Sequence, residues 1–309
     1  MSKLIQIRQR IKAIETIKKV THAMRLISMS THSRLRGKQE PLRTYRASIN
    51  QLFAKLQPLA LDWTNPIMYP TTHETTLFIL VGSQKGLCGT FNTHLFAKFI
   101  HTAEQDKSAH YQVITIGKQI TDFYVEHYHQ QPIKIFNDFS QRTMASIADA
   151  LINYIVQAPQ PFARVAVVSN EFTGFFIQRP RETNVIPFND ARPADTSKGE
   201  TASGSAASAS SEGSLDRKFV SGPIEGYLWY HEVKAILDML AQQYLEAELQ
   251  SLLYESLLAE HAARFISMDN ATRNAEKLLE ETKSDYNKLR QAKITKELTE
   301  LTSSFSLHS

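Results

Sequence analysis

The stretch YLWYHEVKAILDMLAQQYLEAELQSLLYESLLAEHAARFISMDNATRNAEKLLEETKSDYNKLRQAKITKELTELTSSFSLHS, Tyr227–Ser309, decides the fold. It contains neither proline nor glycine, the two strongest helix breakers. Apolar residues recur in steps of three and four at Leu245, Leu249, Leu252, Leu258, Ala262, Phe265, Met268, Ala271, Ala275, Leu278, Tyr286 and Leu289. That pattern is one narrow stripe along a helix, with charged residues filling the other faces. If about 70 of these residues are helical, the rod is roughly 100 Å long at 1.5 Å rise per residue. No single domain of this chain's size is that wide. The rod is expected to protrude and to need a partner along its stripe.

The other end of the chain offers that partner. From Ser2 to Arg36 proline and glycine are again missing, and Leu4, Ile7, Ile11, Ile14, Ile17, Val20, Met24 and Ile27 step by three and four. Ser2 suits an N-cap. The double step of three, Ile14 to Ile17 to Val20, is a stammer that locally overwinds a coiled coil. Gly37 and Pro41 interrupt the pattern, but proline at the start of a turn is compatible with a kink rather than an end. Leu42, Tyr45, Ile49, Leu52, Phe53 and Leu56 then resume the stripe as far as Pro58. The economical solution is an antiparallel coiled coil of residues 1–58 and 223–309, with residues 59–222 inserted between its strands. The competing arrangement places two unrelated helices on a globular core, which asks for wider stripes than these.

The insert reads as α/β. Short β-type runs appear at Thr76–Val81, Tyr111–Gly117 and Ala163–Ser169, with a weaker one at Pro132–Phe136. Helical patterns lie between them at Asn92–Ala103, Lys118–Tyr128 and Arg142–Gln157. Continuous apolar strands alternating with helices predict a mostly parallel sheet covered on both faces. Glu171–Phe188 reads as a hairpin or as edge strands. Residues 193–216 are rich in Ser, Ala, Gly and Thr and carry almost no large apolar side chain, which predicts a flexible surface loop.

Charge narrows the function classes. The chain of 309 residues has a formal net charge of only +4, but it is unevenly placed. Lys3, Arg8, Arg10, Lys12, Lys18, Lys19, Arg25, Arg34, Arg36 and Lys38 stand against one acid, Glu15, while the C-terminal stretch is mixed and slightly acidic. A basic amphipathic helix suits nucleic acid, a membrane surface or an acidic protein partner. No apolar run reaches the length of a membrane span. The basic N-terminus carries Glu15 and no small-residue cleavage site, so it reads as mature helix rather than a targeting segment. Cys88 is the only cysteine, which excludes an intrachain disulfide.

A search for catalytic chemistry finds no constellation. LVGSQKGLCGTFN, Leu80–Asn92, is a glycine-rich strand-to-helix turn of the kind that can cradle phosphate. Its spacing is neither GxxxxGK[ST] nor GxGxxG, so a tight turn for close helix–strand approach fits better. Gly117-Lys118 is a weaker candidate of the same kind. Cys88 lies in the turn without a nearby histidine and reads as a small buried residue, not a thiol nucleophile. His127 and His129 lack a third ligand and read as surface. His261 falls on or beside the helix seam, where the alternatives are a packed imidazole and a proton switch. Carboxylates on the last helix interleave with Lys and Arg at i,i+3 and i,i+4, as on a self-paired solvated face. The chain is expected to be non-catalytic and to need no cofactor, metal or small-molecule substrate.

Three stretches together resemble the gamma subunit family of F-type ATP synthases: IRQRIKAIETIKKVTHAMRLISMS at Ile7–Ser30, LVGSQKGLCGTFN at Leu80–Asn92, and AEHAARFISMDNATRNA with YNKLRQAKITKELTEL between Ala259 and Leu301. The resemblance implies a rotary shaft: a coil filling the centre of a hexamer of alpha and beta subunits, and a foot meeting the epsilon subunit and the membrane c-ring. It implies a peripheral protein on the cytoplasmic face of a bacterial inner membrane, coupling proton or sodium flow to ATP synthesis or hydrolysis. By position, the family's coupling residues fall on Met24, Arg264, Arg290, Gln291, Thr295, Glu297, Thr299 and Glu300. Departures from the family pattern stand at Arg25, Thr31, Gln84-Lys85-Gly86 and the foot segment Tyr227–Lys234. They are consistent with a divergent second copy of the complex. The competing reading from the residues alone is a coiled-coil scaffold or nucleic-acid binder using the basic helix, although that helix lacks interleaved aromatics for a single-strand platform. An α/β enzyme with a coiled-coil arm would need a site that the sequence does not display.

Overall fold

A computed structural model describes residues 3–56, 59–60, 62–65, 67–68, 75–106, 110–187 and 232–306. The expected loop at 193–216, the Ser2 cap and most of the foot segment at 227–231 lie outside them. The chain runs α1 (Lys3–Leu56), β1 (Thr75–Val81), α2 (Phe91–Gln105), β2 (His110–Ile116), α3 (Lys118–Tyr128), β3 (Lys134–Phe136), α4 (Met144–Val156), β4 (Arg164–Gly174), β5 (Ile177–Ile186) and α5 (Val233–Ser306). Helix α5 has 74 residues, about 110 Å of rod. Helix α1 passes through Pro41 without ending. The residue four positions earlier, whose carbonyl a proline ring crowds, is Gly37, and nothing lies within 4 Å of where its Cβ would be.

Five strands form one sheet in the order β3-β2-β1-β4-β5. Strands β1, β2, β3 and β4 are mutually parallel, and β5 returns antiparallel beside β4. Of the two readings of Glu171–Phe188 the hairpin holds: β4 turns back after Gly174 into a single strand, Ile177–Ile186. Its Pro180 is tolerated because β5 lies at the edge of the sheet. The central strands are buried on both faces, which is why they read as unbroken apolar runs. On one face Leu77, Ile79, Val81, Ile114, Ile116, Val165 and Val167 pack against α4 and α5. On the other, Phe78, Leu80, Val113, Ala166 and Val168 meet Leu95, Phe96 and Phe99 of α2 and Ile120 and Tyr124 of α3.

The two long helices lie antiparallel. Lys283 pairs with Glu15, Lys18 with Glu276 and Arg25 with Asp269. Further along, the Tyr254 hydroxyl donates to the Leu35 carbonyl at 2.6 Å, and Arg46 meets Glu248. Several basic residues of α1 are therefore matched by acids of α5, while Lys3, Arg8, Arg10, Lys12, Lys19, Arg34, Arg36 and Lys38 remain exposed. At the far end Ile49, Phe53 and Leu56 bury against Leu237, Leu240, Ala241 and Tyr244. Among the described residues no helix is long and apolar enough to cross a membrane.

Two features depart from the pattern-based expectation. First, the middle of α5 is not buried along one stripe. Leu245, Leu249, Leu252, Leu253, Tyr254, Leu257 and Leu258 are buried on nearly every side, because α1 covers one flank and the sheet with α4 covers the other. Second, between Ile17 and Ile27 the apolar stripe of α1 is not its buried face. Ile17, Val20 and Ile27 are 54%, 54% and 58% exposed, whereas Thr21, Ser28 and His32 are buried. The contact face has turned by one residue, roughly 100° in a helix of 3.6 residues per turn. Leaving such side chains half-exposed forgoes about 1 kcal/mol each.

This rotation makes a direct prediction for the isolated chain. Ile14→Ala is expected to destabilise by about 2–3 kcal/mol through a core cavity. Ile17→Ala is expected to change stability by less than about 0.5 kcal/mol, as at an exposed site. Denaturant melts of both variants decide it; equal losses would contradict the observed rotation.

Candidate functional site

The glycine turn between β1 and α2 sits where the inserted sheet meets α5. Gly82 is required by packing: a Cβ there would come within 2.4 Å of the Ile120 Cβ. The Ser83 amide donates to Asn92 Oδ1 at 2.9 Å, and Asn92 Nδ2 donates to the Ser83 hydroxyl at 2.8 Å. The Gly82 amide is taken by the Ile116 carbonyl, and the Phe91 amide by the Cys88 carbonyl. These three amides, at the two ends of the turn, are committed internally and are not open to a phosphate. What the turn directs at its neighbour is carbonyl oxygen. Arg264 of α5 donates from Nη2 to the Lys85 carbonyl at 2.8 Å and from Nε to the Gly86 carbonyl at 3.3 Å.

Arg264 is itself held by Glu260 one turn earlier, and both side chains are almost completely buried. Burial raises the Glu260 carboxyl, while the Arg264 guanidinium pulls it the other way. A planar fork can reach two carbonyls and a carboxylate at once, which a lysine ammonium cannot do in the same geometry. Ser256, one turn below Glu260, donates to the Val81 carbonyl at 3.2 Å. Leu87 caps the turn in a left-handed conformation (φ 67) and is 59% exposed. A backbone conformation of that kind in leucine costs about 1–2 kcal/mol, so the surrounding clamp holds it there. Cys88 is buried, and burial pushes its thiol up, opposite to the shift that a nucleophile needs.

His261 lies beside this clamp. Burial, then Arg264, His32, Arg34 and Lys85, press its imidazole down to about 4. His32 of α1 is pressed down by burial and by Arg36, and its ring touches those of Phe172 and Phe175 at the β4–β5 hairpin. Phe175 also meets Phe265 of α5 edge-on, with ring centroids 5.1 Å apart. His127 and His129 are exposed. Among the described residues no group of three or more His, Cys, Asp or Glu side chains could hold a metal.

The positions expected to couple to partners separate into three environments. Arg264 is buried in the clamp, so anything it conveys passes through the glycine turn. Met24 is half-buried on α1. Arg290, Gln291, Thr295, Glu297, Thr299 and Glu300 are exposed on the last turns of α5, beside exposed Ile294, Leu298 and Leu301. The structure does not bring these three groups together. Sequence reading gave no sign of the Glu260–Arg264 clamp, although an i,i+4 acid–base pair inside a run of alanines is a detectable signal for a buried one.

The model of the ATP synthase family matches residues 3–306. The chain belongs to the gamma-subunit family of ATP synthases. Among curated relatives, the ATP synthase gamma chain of Francisella tularensis subsp. tularensis strain WY96-3418 is 26% identical over 319 aligned positions, covering 98% of both chains. That of Francisella philomiragia subsp. philomiragia is 26% identical with the same coverage. In fold, the chain is similar to a subunit in the rotor of the Euglena gracilis mitochondrial ATP synthase, with a TM-score of 0.61, 16% identity, and coverage of 94% of this chain and 98% of that one. It is also similar to a chain in the central stalk and c-ring of the Tetrahymena thermophila enzyme, with a TM-score of 0.52, 13% identity, and coverage of 82% and 99%. The gamma-family fold thus accounts for the long terminal helices and for the α/β insert between them.

Two outcomes follow from the clamp and its histidine. Arg264→Leu leaves a buried carboxylate and two carbonyls without their cation, and is expected to cost about 3–5 kcal/mol in a denaturant melt; Arg264→Lys should recover only part of it. His261 is neutral when folded and charges readily when unfolded. Its lowered folded value makes stability present above pH 6.5 and lost as pH falls from about 6.5 towards 4, by up to about 3 kcal/mol. Melting temperatures of the parent and His261→Gln across that window should converge as pH falls, and parallel curves would refute the assignment.

Proposed function

We propose that the chain is the central rotary shaft of an F-type ATP synthase, a non-catalytic subunit that couples ion flow through the membrane ring to ATP synthesis or hydrolysis in an alpha–beta hexamer. The observation that carries this reading is the outward face of the rod. Ile17, Val20 and Ile27 on α1 and Ile294 on α5 are large apolar side chains turned away from the molecule's own core. They are flanked by exposed Lys12, Lys19, Arg34 and Arg36. A rod that is apolar and cationic on its outside suits an enclosing partner with acidic loops.

In this reading α1 and α5 form an antiparallel coiled coil, and its far end works as a spindle inside the hexamer. Met24, Arg290, Gln291, Thr295, Glu297, Thr299 and Glu300 make weak, reversible contacts with alpha and beta, since a bearing that binds tightly does not turn. Arg264 acts at one remove, by holding the turn that presents Leu87. The shaft is asymmetric, so it touches three chemically identical beta subunits differently. Differential contact of that kind is the only way one subunit can bias the conformations of others. The opposite end of the rod, near Trp63 and Lys234, meets the epsilon subunit and the c-ring, at the cytoplasmic face of a bacterial membrane.

Co-expression with alpha and beta subunits tests this directly. The chain should co-purify in a complex with ATPase activity, and alone it should hydrolyse no ATP. Truncation after Leu289 should leave assembly largely intact and lower ATP-driven ion pumping per ATP hydrolysed several-fold. A chain that neither assembles with those subunits nor alters their coupling when truncated is not a shaft.

A further inference from the structure

Between Lys18 and His32 the side of α1 that meets α5 is polar, although an apolar face is available one residue round. We propose that Arg25 and Asp269 are the positioning pair that fixes the rotation and register of α1 against α5, and so decides which face of the rod the hexamer meets. The geometry stands by itself; the consequence for coupling rests on the shaft reading.

Both oxygens of Asp269 are engaged. Oδ1 accepts from Arg25 Nη1 across the helix interface at 2.6 Å, and Oδ2 accepts from Arg273 Nη2 on its own helix at 2.9 Å. The other amino group of Arg25 lies 3.2 Å from His22 Nδ1. These two guanidinium groups hold the Asp269 carboxyl below the usual carboxylate range, the Arg25 hydrogen bond being the larger cause. The short, largely buried Asp269 side chain is fixed to its helix, and with one oxygen taken by Arg273 it presents the other to α1. One residue before Arg25 or one after it would not face that oxygen.

The neighbouring contacts cannot do this alone. Lys18–Glu276 and Lys283–Glu15 join long, half-exposed side chains that can follow a sliding helix. Thr21 and Thr272, whose hydroxyls are 2.9 Å apart, are too short to follow one, but they are uncharged. Against them stands the competing seam of Ile17, Val20 and Ile27. Turning α1 by one residue would bury that track and carry Arg25 away from Asp269. A directional charge pair across the seam opposes that turn, in the manner of the polar contacts that specify register in helix pairs.

The test reads register in the full-length chain. With Cys88→Ser as background, Thr21→Cys and Thr272→Cys place thiols where the two hydroxyls now meet, and copper-phenanthroline oxidation reports their proximity. Asp269→Arg should lower the cross-linking yield at least five-fold. Asp269→Asn, which keeps the fold if the reversal does not, should lower it to a smaller extent. Combining Asp269→Arg with Arg25→Asp should restore it to within two-fold. In the assembled complex, ion pumping per ATP should fall with Asp269→Arg and return with the double reversal. Unchanged cross-linking in Asp269→Asn and Asp269→Arg, or no recovery in the double reversal, overturns the pair. Failure to assemble with alpha and beta overturns the shaft reading and leaves the pair to be decided by cross-linking alone.

Discussion

The structure depends on the burial of one section of α5, Leu245–Leu258, between α1 and the inserted sheet. In a folded chain most of a helix's stability comes from packing of its apolar face. This section supplies that packing on two flanks at once. It makes the sheet and the rod share a single core, so the insert is built into the rod and is not an appendage. The covering of the other sheet face by α2 and α3 follows, because a mostly parallel sheet must be covered on both sides.

The rest of the rod is built on a different principle. Beyond Ala263 in one direction the two helices meet largely through small and charged residues, and the apolar positions of α1 between Ile17 and Ile27 face outward, while Ile14 and Met268 stay buried. An ordinary helix pair would be more stable with those side chains inside. Their outward placement makes sense where another protein supplies the missing burial. The fold has divided its apolar surface between a core that holds the chain together and a rod surface left exposed.

Much of this was legible in the sequence, and the reasons for success and failure are physical. Helix α3 was readable at both ends, Lys118 and Tyr128, because its stripe begins after Gly117 and stops at His129, which takes a left-handed conformation. The strands of β1, β2 and β4 announced themselves by unbroken apolar runs. Strand β3, with only Lys134–Phe136, was the faintest run and proved the shortest. The rotation of α1 was hidden because periodicity assumes that the apolar stripe is the buried one, and between Ile17 and Ile27 it is not. Arg25, odd in its sequence context, is explained by a carboxylate far along the chain, which no local window contains. The same limit hid the Arg264 clamp, whose partners are the backbone carbonyls of Lys85 and Gly86.

The attachments of the insert to α5 have a mechanical consequence. The sheet grips Leu245–Leu258, Arg264 holds the glycine turn, and Phe265 meets the hairpin at Phe175. With several separated fixings the insert cannot swivel about the rod. Beyond Phe265, about 40 residues of α5, roughly 60 Å, run on with α1 alone for support over part of their length. A beam clamped at one end deflects under a side load as the cube of its free length. The give of this molecule is therefore concentrated in the slender part past the last fixing, while the broad end behaves as a stiff mount.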